Sequence, residues 1–140
     1  CNMDSWKDKE TLEGHKKSLL TLFEDLRVPD ETRLKLIEQL SSTDIRLQSS
    51  ALILAFFAAG QVIRTKKQSD YGLTWREYGL EGIFFNIATK FGRLKSLLWR
   101  QKGQQVADES VKDTLIDMVN YCLYALVLLE EGNVRGDADA

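Results

Sequence analysis

The stretch DESVKDTLIDMVNYCLYALVLLEE, residues 108–131, has the periodicity of one long helix. An α-helix turns about 100° per residue, which gathers the apolar residues of this stretch on one broad face. The residues of that face are Val111, Leu115, Met118, Val119, Cys122, Leu126 and Leu129. We expect the Leu115, Cys122 and Leu126 side of this helix to lie at the centre of the fold.

Acidic residues follow the edge of that apolar face. Glu109, Asp113, Asp117 and Asn120 fall within about 80° of one another around the helix. A carboxylate at the edge of a buried face costs several kcal/mol to desolvate when it has no partner. We therefore expect either basic groups from another helix or a metal ion to meet these carboxylates.

A basic flank on the preceding helix has the complementary charge. Asn86, Lys90 and Arg93 lie within about 60° of one another on a predicted helix over residues 82–100. One interpretation is a set of ion pairs that join Lys90 and Arg93 to Asp113 and Asp117. The other places Mg²⁺ and a phosphate chain between the two flanks, because Mg²⁺ is usually held by one or two carboxylates together with substrate phosphates.

The composition favours an all-α protein. Helix-forming residues dominate the 140 residues and proline occurs once, at Pro29. Apolar periodicity predicts helices over 4–27, 30–41, 44–67, 82–100 and 108–131, which form a bundle of four to five helices within one domain, residues 1–140. We divide it into N-terminal helices (1–43), a core (44–131) and a polar tail (132–140) that is expected to fray.

The third of these helices indicates assembly of several copies. Its middle, residues 51–60, is apolar on nearly every side, which is typical of a helix at the centre of a bundle. We expect Ala51 to Ala59, with Phe56 and Phe57, to lie in the core. Because a bundle this small can hardly cover every side of such a helix, we predict a homo-oligomer.

Charge and cysteine content set the broad class. The net charge of −2 predicts no bulk attraction to nucleic acid or to anionic lipid. The apolar run from Ala51 to Ala59 is too short to span a bilayer, so we predict no membrane contact. Two cysteines make no disulfide framework, and a cytoplasmic location is expected.

The connection SDYGLTWREYGLEG, residues 69–82, is rich in aromatic residues and glycines. Tyr71, Trp75 and Tyr78 within so short a segment are typical of a packed loop that shapes a pocket. The alternative is that the loop only closes one end of the bundle. The sequence leaves both interpretations open.

Several short motifs, taken in order, are similar to one known family. They are Lys67, Asp70-Tyr71-Gly72 with Trp75, Lys90 with Arg93, Glu109, Asp113, and Asp117-x-x-Asn120-Tyr121. This set resembles the nucleotide-modification-associated domain family of small phage and bacterial proteins, which looks like a branch of the all-α MazG-like pyrophosphatases. The resemblance implies a MazG-like helical fold and Mg²⁺-dependent cleavage of nucleoside triphosphates to monophosphate and pyrophosphate.

The resemblance also implies roles for individual residues. Glu109, Asp113 and Asp117 would hold Mg²⁺ and serve in catalysis, with Glu109 as a third ligand or as the base that orients water. Lys67, Lys90 and Arg93 would bind phosphates. The remaining positions would contact the base or sugar, and they are Tyr71, Trp75, Asn86, Asn120 and Tyr121.

The chain departs from the wider superfamily at one place. MazG-like enzymes carry an EExxE cluster on one helix and ExxD on the next, whereas the predicted helix 44–67 contains no glutamate and only Asp44 at its start. One acidic helix remains instead of two. Three hypotheses therefore stay open: a Mg²⁺-dependent nucleotide pyrophosphohydrolase or nucleotide-modifying enzyme, a non-catalytic binder of nucleotides or nucleotide signals, and a structural helical interaction protein.

Overall fold

The structure, a computed structural model, describes residues 9–100 and 106–139, without the side chains of residues 9, 69–71, 100, 106–110 and 139. Within these ranges it contains five α-helices and no strand, which confirms the predicted all-α class. The helices are α1 (Lys9–Asp25), α2 (Asp30–Gln39), α3 (Ile45–Tyr71), α4 (Gly79–Lys95) and α5 (Val106–Glu130). Short helical turns follow at Thr74–Arg76, Ser96–Arg100 and Asp137–Asp139.

Local sequence explains the start of α3 and the end of α5. Asp44 caps α3, because its carboxylate accepts a hydrogen bond of 3.0 Å from the backbone N–H of Arg46. Gly132, at φ +70°, ends α5, and the N–H of Asn133 returns to the carbonyl of Leu128. Several predicted bounds were wrong by about one turn or less: α3 continues to Tyr71, α4 begins at Gly79 instead of Gly82, and α5 begins two residues before Asp108.

The chain divides into two compact units, Cys1–Thr65 and Lys66–Ala140, which we call unit 1 and unit 2. Helix α3 contributes residues to both. Each unit is described below by itself. The predicted organisation as a single domain over residues 1–140 stays a prediction.

Unit 1 contains a small apolar core in which α3 presents alanines to α1 and α2. The fully or nearly fully buried members are Leu19, Phe23, Leu40, Ala51, Ala55 and Ala58. This confirms that the apolar middle of α3 packs in a core, although only on its alanine side. Phe57 is 40% exposed, so its predicted core position was wrong, whereas Phe56 is partly buried and meets the ring of His15 edge-on at 5.1 Å.

Unit 2 is organised around the contact between α4 and α5. The buried residues of α4 are Gly79, Ile83 and Leu94, and those described on α5 are Thr114, Asn120 and Leu128. Leu115 and Leu126 are 47% and 60% exposed and Cys122 is exposed as well, so their predicted central position was wrong. The physical reason is that α5 turns its polar flank towards α4, which leaves the apolar face outside the pair.

The segment after α5 is held against the start of α4 instead of fraying. The carbonyl of Val134 accepts a hydrogen bond from the N–H of Leu80, and the N–H of Ala138 donates to the carbonyl of Glu77, both at 2.9 Å. Gly136, at φ +84°, lies so close to this loop that an added Cβ would collide with the backbone nitrogen of Gly79. The expectation of a frayed tail was therefore wrong.

One helix meets a simple criterion for a membrane span. The α3 segment Ile45–Gln68 is long and apolar enough to cross a membrane by length and composition alone, and 28% of its apolar window is buried. A core helix of a soluble protein passes the same test, so the criterion is weak. The predicted absence of membrane contact stays a prediction.

The alanine-lined core of unit 1 leads to a stability prediction. Leu19 is fully buried, so we expect Leu19→Ala to lower the free energy of unfolding by about 2–5 kcal/mol through lost burial and a residual cavity. Leu34 on α2 is exposed, and Leu34→Ala is the matched control with an expected change below about 0.5 kcal/mol. Urea unfolding followed by far-ultraviolet circular dichroism measures both, and equal losses would contradict the core assignment.

Candidate functional site

The α4–α5 contact brings one carboxylate together with two ammonium groups. Asp117 of α5 accepts Lys90 Nζ of α4 on Oδ2 at 2.9 Å and Lys67 Nζ of α3 on Oδ1 at 3.1 Å. The side chain of Asp117 is 19% exposed, against 28% for Lys90 and 56% for Lys67. The site is therefore a partly buried ion triad with its lysines open to solvent.

The lysines decide the ionisation of this carboxyl group. Burial raises the pKa of Asp117, but the hydrogen bonds from Lys90 and Lys67 and the charges of both groups together bring it below its ordinary value. Asp117 is therefore ionised at neutral pH. Both of its oxygens are engaged by a lysine.

Two of the predicted flank residues do not join this triad. Arg93 and Asp113 are exposed, and among the described residues no ion pair connects them. The side chain of Glu109 lies outside the described residues. The facing of the two flanks is thus confirmed for Lys90 and Asp117, while a contact between Arg93 and Asp113 is absent from the part of the chain that the structure describes.

An open cleft of about 660 Å³ lies beside the triad in unit 2. Its walls come from the short turn before α4, the first two turns of α4 and the middle of α5. The lining residues are Thr74, Trp75, Tyr78, Glu81, Gly82, Ile83, Phe85, Asn86 and Tyr121. The interpretation that the aromatic loop shapes a pocket is therefore supported, because five residues of segment 69–82, among them Trp75 and Tyr78, lie in the wall.

The predicted base-contacting residues divide into three groups. Trp75, Asn86 and Tyr121 line the cleft together. Asn120 is buried and lies outside the lining. Tyr71 ends α3, and its side chain falls outside the described residues.

The cleft and the triad occupy consecutive turns of the same two helices. Asn86 and Lys90 are four residues apart on α4, and Asp117 and Tyr121 are four apart on α5. Residues at that spacing share a helix face, one turn of about 5.4 Å apart along the axis. The part of the cleft that Asn86 and Tyr121 line is therefore adjacent to the lysines of the triad.

Aromatic contacts hold the wall of the cleft in place. The rings of Trp75 and Tyr124 are stacked, 4.5 Å between centroids and 10° between planes. Tyr121 meets Tyr124 edge-on at 6.1 Å. These arrangements are the ones that aromatic quadrupoles favour, so they stabilise the orientation of Trp75 and Tyr121 in the wall.

Sequence reasoning missed part of this cleft. Tyr78 was named among the aromatic residues of the pocket-shaping loop, but Thr74, Glu81 and Phe85 were not singled out, although all three line the cleft. The aromatic density of residues 69–82 was the available indication, and it identified the loop but not the individual side chains. Tyr124 was missed because nothing in the sequence indicates that its ring contacts those of Trp75 and Tyr121.

The triad leads to a prediction about pH. A carboxyl group whose pKa is lower in the folded than in the unfolded state stabilises the fold above the unfolded pKa of about 3.9, and this stabilisation is lost as pH falls through the folded pKa. We expect Asp117→Asn to lower the free energy of unfolding by about 1–3 kcal/mol at pH 7, because two lysines lose their anionic partner.

The difference between Asp117→Asn and the natural chain should shrink as pH falls below about 3.9, because the carboxyl group of the unfolded chain is then protonated, and it should vanish only below the lower pKa of the folded chain. Asp113→Asn is the matched control: it removes an exposed carboxylate from the same helix, and we expect no measurable change. Urea titrations at pH 7, 5 and 3.5 measure all three chains. A difference that stays constant across these pH values would contradict the ionic origin of the effect.

Comparison with known proteins found a match to one family model, which lies within unit 2. No curated protein and no solved structure matches the sequence. The segment that does match a family begins at Lys67 of the triad and ends one residue after the buried Leu128. Residues 67–129, which include the triad and the whole lining of the cleft, match the model of the family described as nucleotide modification associated domain 1.

Proposed function

We propose that unit 2 binds a nucleotide, with the base in the aromatic cleft and the phosphates at Lys90 and Lys67. The observation that carries the proposal is the adjacency of the cleft to the ion triad, one helical turn apart on the same two helices. A nucleotide needs this combination, since it joins a flat polar ring to an anionic chain. The family match over residues 67–129 agrees with a role in nucleotide chemistry.

The cleft has the size and lining that a nucleobase requires. Its volume of about 660 Å³ lies within the usual range for small-molecule sites, roughly 300–1,000 Å³. Tyr78, Phe85 and Tyr121 supply ring surface, and stacking of a base on an aromatic side chain contributes about 1–3 kcal/mol. Asn86 and Glu81 add hydrogen-bonding groups that can contact a base edge.

The phosphate end carries a small net positive charge. Two ammonium groups and one carboxylate leave the triad with a net charge of +1. Arg93 lies one turn beyond Lys90 on α4 and is exposed, so its guanidinium is available to a phosphate chain that extends along the helix. Binding of phosphate there requires Lys90 to exchange or share its carboxylate partner.

The Mg²⁺ site that the family resemblance implies does not fit the triad as it stands. Both oxygens of Asp117 are engaged by lysines, and the described residues contain no group of three potential metal ligands. Asp113 is exposed and one turn away, and the side chain of Glu109 is not described. The magnesium site on Glu109, Asp113 and Asp117, and hydrolysis with it, therefore stay predictions.

Calorimetric titration tests the proposal. We expect the purified chain to bind at least one of the deoxynucleoside triphosphates, and a ligand at a hundred times its dissociation constant to stabilise the fold by about 2.7 kcal/mol. Asn86→Ala should weaken nucleoside and triphosphate alike. Lys90→Ala should weaken the triphosphate more than the nucleoside, because it removes a phosphate contact together with one of the two partners of Asp117.

Lys112→Ala is the matched control for Lys90→Ala, since it removes the same charge from an exposed position of α5 away from the triad. Each titration is repeated with Mg²⁺ while pyrophosphate release is followed. Release that Asp117→Asn abolishes would establish the pyrophosphohydrolase hypothesis. The absence of binding to every nucleotide, with and without Mg²⁺, would contradict nucleotide binding and favour a structural role.

We also propose that the chain assembles as a homo-oligomer through the outer faces of α4 and α5. On these faces large apolar side chains remain exposed within unit 2, and they are Phe84, Phe91, Leu115, Val119, Leu126 and Leu129. Large exposed apolar side chains on one face of a helix are typical of an interaction site. A second copy offers a matching surface, because a two-fold interface uses the same patch on both subunits.

Introducing negative charge on this face tests assembly. We expect the double variant Val119→Glu, Leu126→Glu to shift the protein to a monomeric mass, since two carboxylates would have to be desolvated at each interface. Arg135→Glu, which changes an exposed residue away from these faces, should leave the mass unchanged. Light scattering after size-exclusion chromatography measures the mass. A natural chain that is already monomeric at high concentration would contradict the proposal.

A further inference from the structure

The residues that follow the matched range pack against the loop that forms one wall of the cleft. We call residues 131–138 the C-terminal segment. It begins two residues beyond the matched range 67–129 and packs against residues 76–80, which continue directly from the cleft wall. Nothing in the nucleotide-binding proposal uses this segment, so its contacts need another explanation.

Arg76 is the residue through which the C-terminal segment is attached. Its guanidinium donates from both terminal nitrogens to the carboxylate of Glu131, and its Nε donates to Asp137 Oδ2 at 3.3 Å. Asp137 in turn accepts Asn133 Nδ2 at 2.6 Å. A bidentate arginine–carboxylate pair fixes orientation as well as charge.

The same guanidinium lies against the cleft wall. The Cζ atom of Arg76 is 5.2 Å from the ring centroid of Trp75, within the range of a cation–π contact. Trp75 is stacked on Tyr124 and lines the cleft. Trp75 therefore has two ordered neighbours, Tyr124 and Arg76. Of these, Arg76 is bound to Glu131 and Asp137 of the C-terminal segment.

The backbone of the C-terminal segment also lies close to the backbone at the start of α4. Gly79 and Gly136 are both buried with positive φ, at +69° and +84°. A Cβ at Gly79 would collide with the carbonyl oxygen of Val134. Neither glycine position has room for a side chain, so the backbones of the C-terminal segment and of this loop are in close packing contact.

We propose that Arg76 is a positioning residue, through which the C-terminal segment holds Trp75 in the orientation that forms the wall of the nucleotide cleft. This inference rests on the proposed nucleotide binding. Arg76 does not touch the ligand. Its effect is to raise the fraction of molecules in which the wall is in place.

The expected loss of nucleotide affinity depends on the fraction of molecules in which the wall is in place. The apparent dissociation constant equals the intrinsic constant divided by the fraction of binding-competent molecules, so a fall of this fraction to one tenth weakens binding about tenfold. We expect Arg76→Ala to lower this fraction and to weaken nucleotide binding by the same factor, on the order of tenfold. Arg76→Lys keeps the charge without the planar guanidinium group, so its dissociation constant should lie between those of the natural chain and Arg76→Ala.

The test follows Trp75 directly as well as ligand affinity. The chain has three tryptophans, so Trp6→Phe and Trp99→Phe leave Trp75 as the only one. In this background, near-ultraviolet circular dichroism reports the ordered stack of Trp75 on Tyr124. We expect Arg76→Ala to lose this band, while far-ultraviolet circular dichroism and hence helix content stay unchanged.

Arg135→Ala is the matched control, because it removes an exposed arginine from the same segment and should alter neither measurement. Where Arg76→Ala does not fold, Glu131→Gln with Asp137→Asn removes the partner charges and keeps the side-chain shapes. Affinity is measured with the deoxynucleoside triphosphate that the natural chain binds most tightly.

The outcomes separate the two proposals. A Trp75 band that survives Arg76→Ala overturns the positioning role, whether or not a nucleotide binds. A lost band with an unchanged dissociation constant overturns it as well. If the natural chain binds no nucleotide, nucleotide binding fails, and so does a role for Arg76 in it, while the band alone still shows whether Arg76 orders Trp75.

Discussion

The arrangement of unit 2 depends on the carboxylate of Asp117, which two lysines share. Asp117 is mostly buried at the contact between α4 and α5, and a carboxylate in that position must have counter-charges. Lys90 supplies one from α4 and Lys67 the other from the last turns of α3. Because the polar flank of α5 has to face these lysines, its apolar face is turned outward. The exposed Leu115 and Leu126 thus follow from the same ion triad that forms one end of the candidate site.

The sequence predicts the helices and one half of this site because both depend on local spacing. Periodicity identified every helix, and the angular positions of Lys90 and Asp117 predicted that their flanks would meet, as they do. It did not predict which side of α5 is inner. An apolar stripe shows that something covers it, but not whether the cover is the same chain or another copy. The same limit explains Phe57, since an all-round apolar helix does not specify its single buried side.

The rest of the site could not be predicted, because it depends on contacts between residues far apart in the chain. Arg76 and Glu131 are 55 positions apart, and Trp75 and Tyr124 belong to different elements with no shared motif. Composition made the tail after α5 look loose, since it is polar and rich in small residues. Small residues are also what close backbone contact requires, and Gly136 has no room for a side chain. Whether a glycine marks mobility or a tight fit is decided only by its neighbours.

The shared carboxylate also affects which anions a nucleotide site of this kind would prefer. An incoming phosphate competes with Asp117 for the same two ammonium groups, and the low pKa of Asp117 keeps this competitor charged at neutral pH. A small anion gains little, because it exchanges one charged partner of Lys90 for another. A longer phosphate chain reaches Arg93 as well, so it gains contacts that Asp117 cannot replace. Under the nucleotide-binding proposal, the triad therefore discriminates against inorganic phosphate and monophosphates, and this discrimination comes from the same ion pairs that hold α3, α4 and α5 together.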